Sequence, residues 1–475
     1  MRKGESDRDE ETTVVDWNKP HDPENPMDWS DRRKWTLVAL VSAVTFNTSL
    51  SATIFAPSVP GLFQELHSDN EQLESFSTSI FVVAVIFGPL LFAPLSEIYG
   101  RSMLLHCTNV LFAIFTIACG LSKTLPQILI FRFFQGFWGC VPTVLGGGII
   151  ADVIEVENRG KALSGWQLGP LLGPVIGPVA GGYIAETLGW HWSFWVVAII
   201  EGVLIVVCLI LLPETYAPVL LERKASRLRK ETGNPYLRSK LDSRKSPKTI
   251  FKMALTRPLK LLFQSPIIVM LAFTVSIVYG YLYLLFTTFT NVFVNQYGFS
   301  TGSSGLAYLG LGFGFVAGLV FIGLVSDRLV IRMTAKHDVR KPEYRLPPMA
   351  VGAFSVPAGL LWYGWTAQYH VHFIVPIIGS AFVGFGVLVI FLPVQAYLID
   401  AFTVYAASAS ATNTVVRSVF GALVPLAGPP LYGRLGLGWG NTVLAFIALA
   451  TVPVPLLLIR YGEKIRMSPK FQLEL

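Results

Sequence analysis

Charge is what this chain has least of. Asp, Glu, Lys and Arg make up 14% of its 475 residues and hydrophobic residues 52%, where a soluble domain carries about 25% charged residues. That balance excludes an ordinary water-soluble fold and points to a polytopic membrane protein. Cysteine is also scarce. Cys107, Cys119, Cys140 and Cys208 all fall inside apolar runs, so neither a disulfide framework nor a thiolate metal site is expected. No metal and no cofactor is implied. A membrane-embedded enzyme should show clustered histidines or paired acids at membrane depth; His106 stands alone in its run and His191 lies at a boundary. A phosphate-binding GxxxxGK[ST] loop is missing, since Gly160-Lys161 is followed by Ala162, which argues against an ATP-driven pump. The polar start of the chain carries no signal-peptide pattern, and no cleaved leader is expected.

What is present is a succession of apolar runs long enough to span a bilayer. They predict helices near 35–58, 73–95, 102–121, 127–151, 160–185 and 191–212, then 266–294, 304–326, 346–366, 371–398, 404–429 and 439–461. The expected organisation is a polar tail (1–34), a six-helix bundle (35–212), a basic central loop (213–265), a second six-helix bundle (266–461) and a short tail (462–475). The central loop carries thirteen Lys/Arg against four Asp/Glu, while Lys123 and Arg434 are the basic residues expected on the opposite side. By the positive-inside bias both termini and the central loop are cytoplasmic. The net charge of +7 is read as topology, not as a nucleic-acid footprint. Trp190, Trp192, Trp195, Trp362, Trp365 and Trp439 would be interfacial anchors. The tail and loop look too short and too charged to fold as an output domain, which weighs against a membrane sensor. An internal repeat supports two related halves: GPLLFAPLSE (Gly88 to Glu97) ends the second predicted helix and GLVFIGLVSD (Gly318 to Asp327) the eighth. Two such halves place a cleft and a site near mid-membrane.

The stretch GPLLGPVIGPVAGGYI, Gly169 to Ile184, is the most informative. Gly169-Pro170, Gly173-Pro174 and Gly177-Pro178 recur at a spacing of four, and Gly181-Gly182 closes the run. Each interior Pro costs a soluble helix about 3 kcal/mol and each Gly about 1. A membrane helix tolerates both where neighbours re-satisfy the freed carbonyls, and glycines four apart make a groove for another backbone. Gly310, Gly312, Gly314 and Gly318 likewise form a packing face rather than a nucleotide loop.

Together with DPENPMDWS, APLSEIYGR, RFFQGFWG, PETYAPVLLERKASRLRKETGN, SDRL and DAFTVYAASASATNTVVRSVFGALVPL, this stretch resembles the major facilitator superfamily. Within it the chain is similar to the twelve-helix fungal drug:proton antiporters. The resemblance covers nearly the whole chain. It departs at the loop after the second helix, where Ala93, Glu97 and Ser102 stand for the family's glycine, aspartate and following basic residue. It implies an all-α membrane protein of twelve transmembrane helices in two pseudo-symmetric bundles. It further implies proton-coupled efflux of amphipathic organic compounds such as drugs or a fungal metabolite, by a monomer in the plasma or the vacuolar membrane. Import of a polyamine, vitamin or sugar by the same fold is the alternative, against which the Gly-Pro helix argues.

Charges inside a membrane are functional by default. The resemblance associates Arg132, with Gln135 and Gly136, with proton transfer; a guanidinium does not itself titrate, so it would act on a neighbouring acid or on substrate, or else be a structural pair. Glu97 and Arg101 flank the loop that in the family governs the conformational switch, with Asp152 a candidate partner; Asp327 and Arg328 are the second-half copy. Glu201 is the acid deepest in a predicted span and a candidate protonation site, or a structural hydrogen-bonded group. Arg417 and Asn413 in the eleventh helix either face the cleft or pair elsewhere, Asp400 being one partner in reach. Asn47, Gln167, Tyr279, Tyr283 and Gln395 are the remaining candidates for substrate contact, since phenol and amide groups on apolar walls suit bulky amphipathic compounds.

Overall fold

A computed structural model describes residues 14–18, 20–67, 70–241, 246–339, 341–402 and 405–468; the start of the first tail (1–13), the end of the second (469–475) and Thr403-Val404 of the eleventh-helix motif lie outside them. The described chain is almost wholly helical. The first half begins with α1 (Asp31–Thr53), which runs through a 3-10 turn into α2 (Val59–Glu65). The second span is α3 (Glu71–Val85) followed by α4 (Gly88–Tyr99), and the third is α5 (Arg101–Gly120). The fourth joins α6 (Leu125–Gly139) to α7 (Val141–Val153); α8 (Val156–Leu188) and α9 (His191–Leu211) complete the half. The breaks inside the second and fourth spans fall where Pro89 and Pro142 occupy the first turn of the following helix, positions that need no backbone donor.

The central segment contains α10 (Ala217–Thr232) and α11 (Pro247–Gln264). The second half is α12 (Pro266–Tyr297), the short α13 (Thr301–Leu306) leading into α14 (Tyr308–His337), α15 (Pro347–Gln368), α16 (Ile374–Phe402), α17 (Ala406–Leu423), α18 (Gly428–Leu449) and α19 (Pro453–Arg466).

Among the described residues ten segments are long and apolar enough to cross a membrane. The last of them, Ser408–Arg466, is 59 residues long and turns back at Gly436, where φ is 70°, so it supplies the eleventh and twelfth crossings. Prolines, glycines and interfacial aromatics dilute α15 below the hydropathy of a span, yet it packs between α16 and α18 as the ninth. Twelve crossings in two six-helix halves result. One expectation changes here: the eighth helix does not end at Ser326-Asp327. Nothing in RLVIRMTAKH breaks a helix, and α14 continues to His337 before Asp338 turns left-handed at φ 54°.

The tail and central segment are not loose. Val14–Val15 (β1) pairs in parallel with Arg238–Ser239 (β2). Lys224 of α10 donates to Asp22 at 2.7 Å with both side chains buried, and Glu24 pairs with Arg227 at 2.9 Å. DPENPMDWS is a self-capped turn in which Asp28 accepts from the Asp22 and Asn25 nitrogens and the Trp29 indole donates to the Pro23 carbonyl.

Candidate functional site

The Gly-Pro helix shows why its glycines recur every four residues. A Cβ on Gly169 would lie 2.8 Å from the Ser42 carbonyl oxygen, and one on Gly173 2.7 Å from the Leu50 nitrogen. At Gly177 and Gly181 it would overlap the Thr53 hydroxyl and the Ile54 carbonyl. The whole stripe therefore holds the backbone of α1 in contact. The other side of α8 faces the second half: a Cβ on Gly182 would meet the Thr301 carbonyl at 2.8 Å, and one on Gly305 would overlap the Pro178 carbonyl. Pro170, Pro174 and Pro178 lie inside an unbroken helix.

Near this seam Arg132 is fully buried. Its guanidinium donates to the Ser51 carbonyl (3.0 Å), the Ala52 carbonyl (3.3 Å) and the Gln135 amide oxygen (3.2 Å). The rings of Phe55, Phe81 and Phe194 enclose it at 5.0 to 5.7 Å. Gln135 in turn donates to Ser51 Oγ and Thr116 Oγ1. The carbonyls at the end of α1 are those a helix terminus leaves open, and Arg132 fills them. Among the described residues no acid pairs with it, so the geometry is that of a hub tying α1, α5 and α6 together.

Glu201 is likewise fully buried, and Asn47 Nδ2 donates to its Oε2 at 2.8 Å. Asn47, a candidate for substrate contact, is thereby engaged through its amide nitrogen. The amide lies in the contact between α1 and α9, where a buried carboxyl needs a donor. The other carboxyl oxygen, Oε1, and Asn47 Oδ1 have no partner.

On the side bearing the tail and the central segment, here the basic face, Arg101 pairs with Asp152. The partner set differs from the expected one. Glu97 is exposed and its charge acts on Tyr216, and a further carboxylate, Glu214, accepts the Arg101, Thr215 and Tyr216 amides at 3.0 Å each. Two glycines make room: Gly100 turns at φ 97° directly against Glu214, and the space above Gly148 is filled by the Arg101 guanidinium. Tyr216 stacks on that guanidinium at 5.0 Å; burial, then the charge of Glu97, pushes its phenol above the ordinary value. The second half repeats the pattern. Arg345 Nη1 donates to Asp327 and Nε to Asp400, each at 2.9 Å, while Lys341 pairs with Glu463 and Arg466 with Glu343. Asp400 is thus taken by Arg345 and not by Arg417, and Asp327 is served by Arg345 rather than placed beside Arg328 as a latch. Glu214 and Arg345 were missed. The repeat itself held the signal: a cation after the second span paired to an acid ending the fourth has its counterpart after the eighth and at the end of the tenth.

Arg417 lies over the rings of Tyr279 (5.0 Å) and Phe391 (4.8 Å). Tyr279 and Tyr283 are 5.0 Å apart. Asn413, one turn before Arg417, is 1% exposed, and among the described residues neither of its amide atoms has a partner. Gln395 donates to Ser410 at 3.0 Å, and Gln167 is half-buried on α8. A Cβ on Gly421 would lie 3.0 Å from Tyr279 and 3.3 Å from Val82 of α3, which places this cluster where the two halves meet. Among the described residues, hydrogen bonds that cross directly between the halves cluster away from the basic face: Asn291 to Glu74, and Ser300 and the Gly302 amide to Glu186.

Two helical halves facing each other across a polar-aromatic cluster, with a matched ion network on each, define a membrane transporter. The Major Facilitator Superfamily model matches residues 41–425, and the chain belongs to that family. It is 50% identical over 99% of its length to the MFS-type transporter penM of Penicillium rubens, covering 92% of that protein. It is 46% identical over 99% of its length to the efflux pump radE of Floropilus chiversii, covering 88% of that one. The fold matches the xylose transporter XylE of E. coli, in a partially occluded inward-open conformation, with a TM-score of 0.66 at 16% identity, over 91% of this chain and 98% of that one. A D-xylose–proton symporter matches equally well, at 0.66 and 18% identity over 93% and 99% of the two chains.

Proposed function

We propose that this transporter is a proton-coupled exporter of amphipathic organic compounds, with its basic face in the cytoplasm of a plasma-membrane location. The observation that carries the reading is the Gly-Pro helix. Its stripe packs α1, while its far end packs α13 of the second half, so one stiff helix both builds the first bundle and closes the side opposite the basic face. The kinship with a protein described as an efflux pump supports the direction of transport. Alternating access follows from the two halves rocking about the cleft. Contacts at Glu186 and Glu74 open as the site turns outward, while Arg101–Asp152 and Arg345–Asp400 hold each half as a unit at the basic face.

Glu201 is the acid assigned to the proton. It is buried, it bridges two helices through Asn47, and one of its oxygens is unpartnered. One proton entering down a 100 mV potential supplies about 2.3 kcal/mol, which sustains a substrate gradient of roughly 50-fold. The test is accumulation of fluorescent drugs and azoles in pump-depleted yeast, with and without the chain, before and after a protonophore. Lower accumulation that the protonophore abolishes is expected; higher accumulation would establish import instead.

A further inference from the structure

We infer that the cluster around Arg417 selects planar, acidic substrates: conjugated monoanions such as an aromatic carboxylate or the enolate of a β-dicarbonyl. The inference deepens the proposed function, and rests on that reading together with the placement of this cluster where the two halves meet.

The argument starts from the contrast between two arginines at membrane depth. Arg132 spends its donors on two carbonyls and a glutamine. Nε is buried and unpartnered in both, so the contrast lies in the Nη donors: Arg417 has no hydrogen bond or ion pair among the described residues. A guanidinium carries five donors in a planar fork, the shape that takes a carboxylate or a chelating pair of oxygens in two parallel bonds. It lies over two ring faces, Tyr279 and Phe391. Rings beside a guanidinium provide flat apolar walls, so a ligand lying on the guanidinium edge meets aromatic surface beside it.

Asn413 supplies the independent observation. Residues four apart share a helix face, and this buried amide leaves both a donor and an acceptor unused. Buried polar atoms are otherwise paired, so the pair Asn413 and Arg417 is a ready donor set awaiting acceptor oxygens. The acids of the second half reinforce the sign. Asp327, Asp400, Glu343 and Glu463 are engaged by Arg345, Arg466 or Lys341 at the basic face, Asp338 caps α14 at that same end, and none forms an ion pair with Arg417 among the described residues. A cationic ligand would meet repulsion there, and a neutral one would leave the fork unmet.

The test is equilibrium binding to the purified full-length protein in detergent, with 2-naphthoate, 9-anthracenecarboxylate and their methyl esters as probes. At neutral pH each acid is expected to bind at least tenfold tighter than its ester. Arg417→Gln is expected to bring the acid-to-ester affinity ratio to about one, and a monodisperse size-exclusion peak shows that the variant is folded. Phe391→Ala weakens the aromatic acids but not hexanoate, and provides a second reading should Arg417→Gln fail to fold. Esters binding as tightly as acids, an acid preference that survives Arg417→Gln, or no binding of either acid overturns the inference. Binding is read without a gradient. A failure of proton-driven export would therefore overturn the proposed function and leave this result standing, and the converse holds.

Discussion

Arg132 reaches three acceptors on two elements through one planar group, and lysine cannot reproduce that reach although it keeps the charge. Arg132→Lys is expected to reduce transport to below about a tenth, since a lost hydrogen bond to a charged group is worth about 1.5–3 kcal/mol; uptake into proteoliposomes checks it. Glu201→Gln makes a different prediction. The glutamine still accepts from Asn47, so thermal stability stays near wild type. If Glu201 takes the proton, gradient-driven transport falls to background while substrate exchange without a gradient persists. Loss of both activities together would mean that Glu201 is structural. Neither partner set was readable beforehand: Asn47 and Glu201 are 154 positions apart, and only packing of α1 on α9 joins them.

At the scale of elements, α8 offers an internal comparison. Gly181→Ala puts a methyl group into the Ile54 carbonyl, whereas Gly165→Ala on the same helix meets nothing within 4 Å. The first should lower the melting temperature of the detergent-purified protein by several degrees or abolish a monodisperse peak. The second should be neutral or stabilise by up to about 1 kcal/mol. The docked tail is a second element with its own signature. Burial alone raises the Asp22 carboxyl, but amides of Asn18 and Glu24 and the Lys224 ammonium outweigh it and hold the pKa at about 2. A depressed acid stabilises the docked form above its ordinary value and loses that contribution as pH falls through the depressed one. The protection factors of amides at residues 14–18 should therefore be unchanged from neutral pH to about 4 and fall below that, and in Asp22→Asn they should already be low at neutral pH.

Across the whole molecule, the halves touch through Glu186 with Ser300 and Gly302, and through Glu74 with Asn291. Cysteines replacing Glu186 and Ser300 are expected to form a disulfide readily and to stop transport, with reduction restoring at least half of the activity. A crosslinked protein that still transports would exclude rocking about this contact. The ion networks repeat from half to half, Arg101 with Asp152 and Arg345 with Asp400, so loss of either should impair the same step. Asp152→Asn removes the partner of a mostly buried arginine and should destabilise by about 3 kcal/mol, visible as reduced folded yield.

Taken by itself, the amino-acid sequence determined membrane residence, twelve crossings, two related halves and kinship with a transporter family. Those properties rest on local signals: apolar runs of spanning length, a repeated GxxxxxPLSE-like ending, and glycines every four residues. The tertiary structure decided which polar groups are spent on one another. Asn47 went to Glu201, Asp400 to Arg345 and the Arg101 cluster to Glu214, while Arg417 and Asn413 have no hydrogen-bond partner among the described residues. At membrane depth a polar side chain must find a partner or serve a ligand, and the partner is chosen by distances between helices that no spacing along the chain encodes.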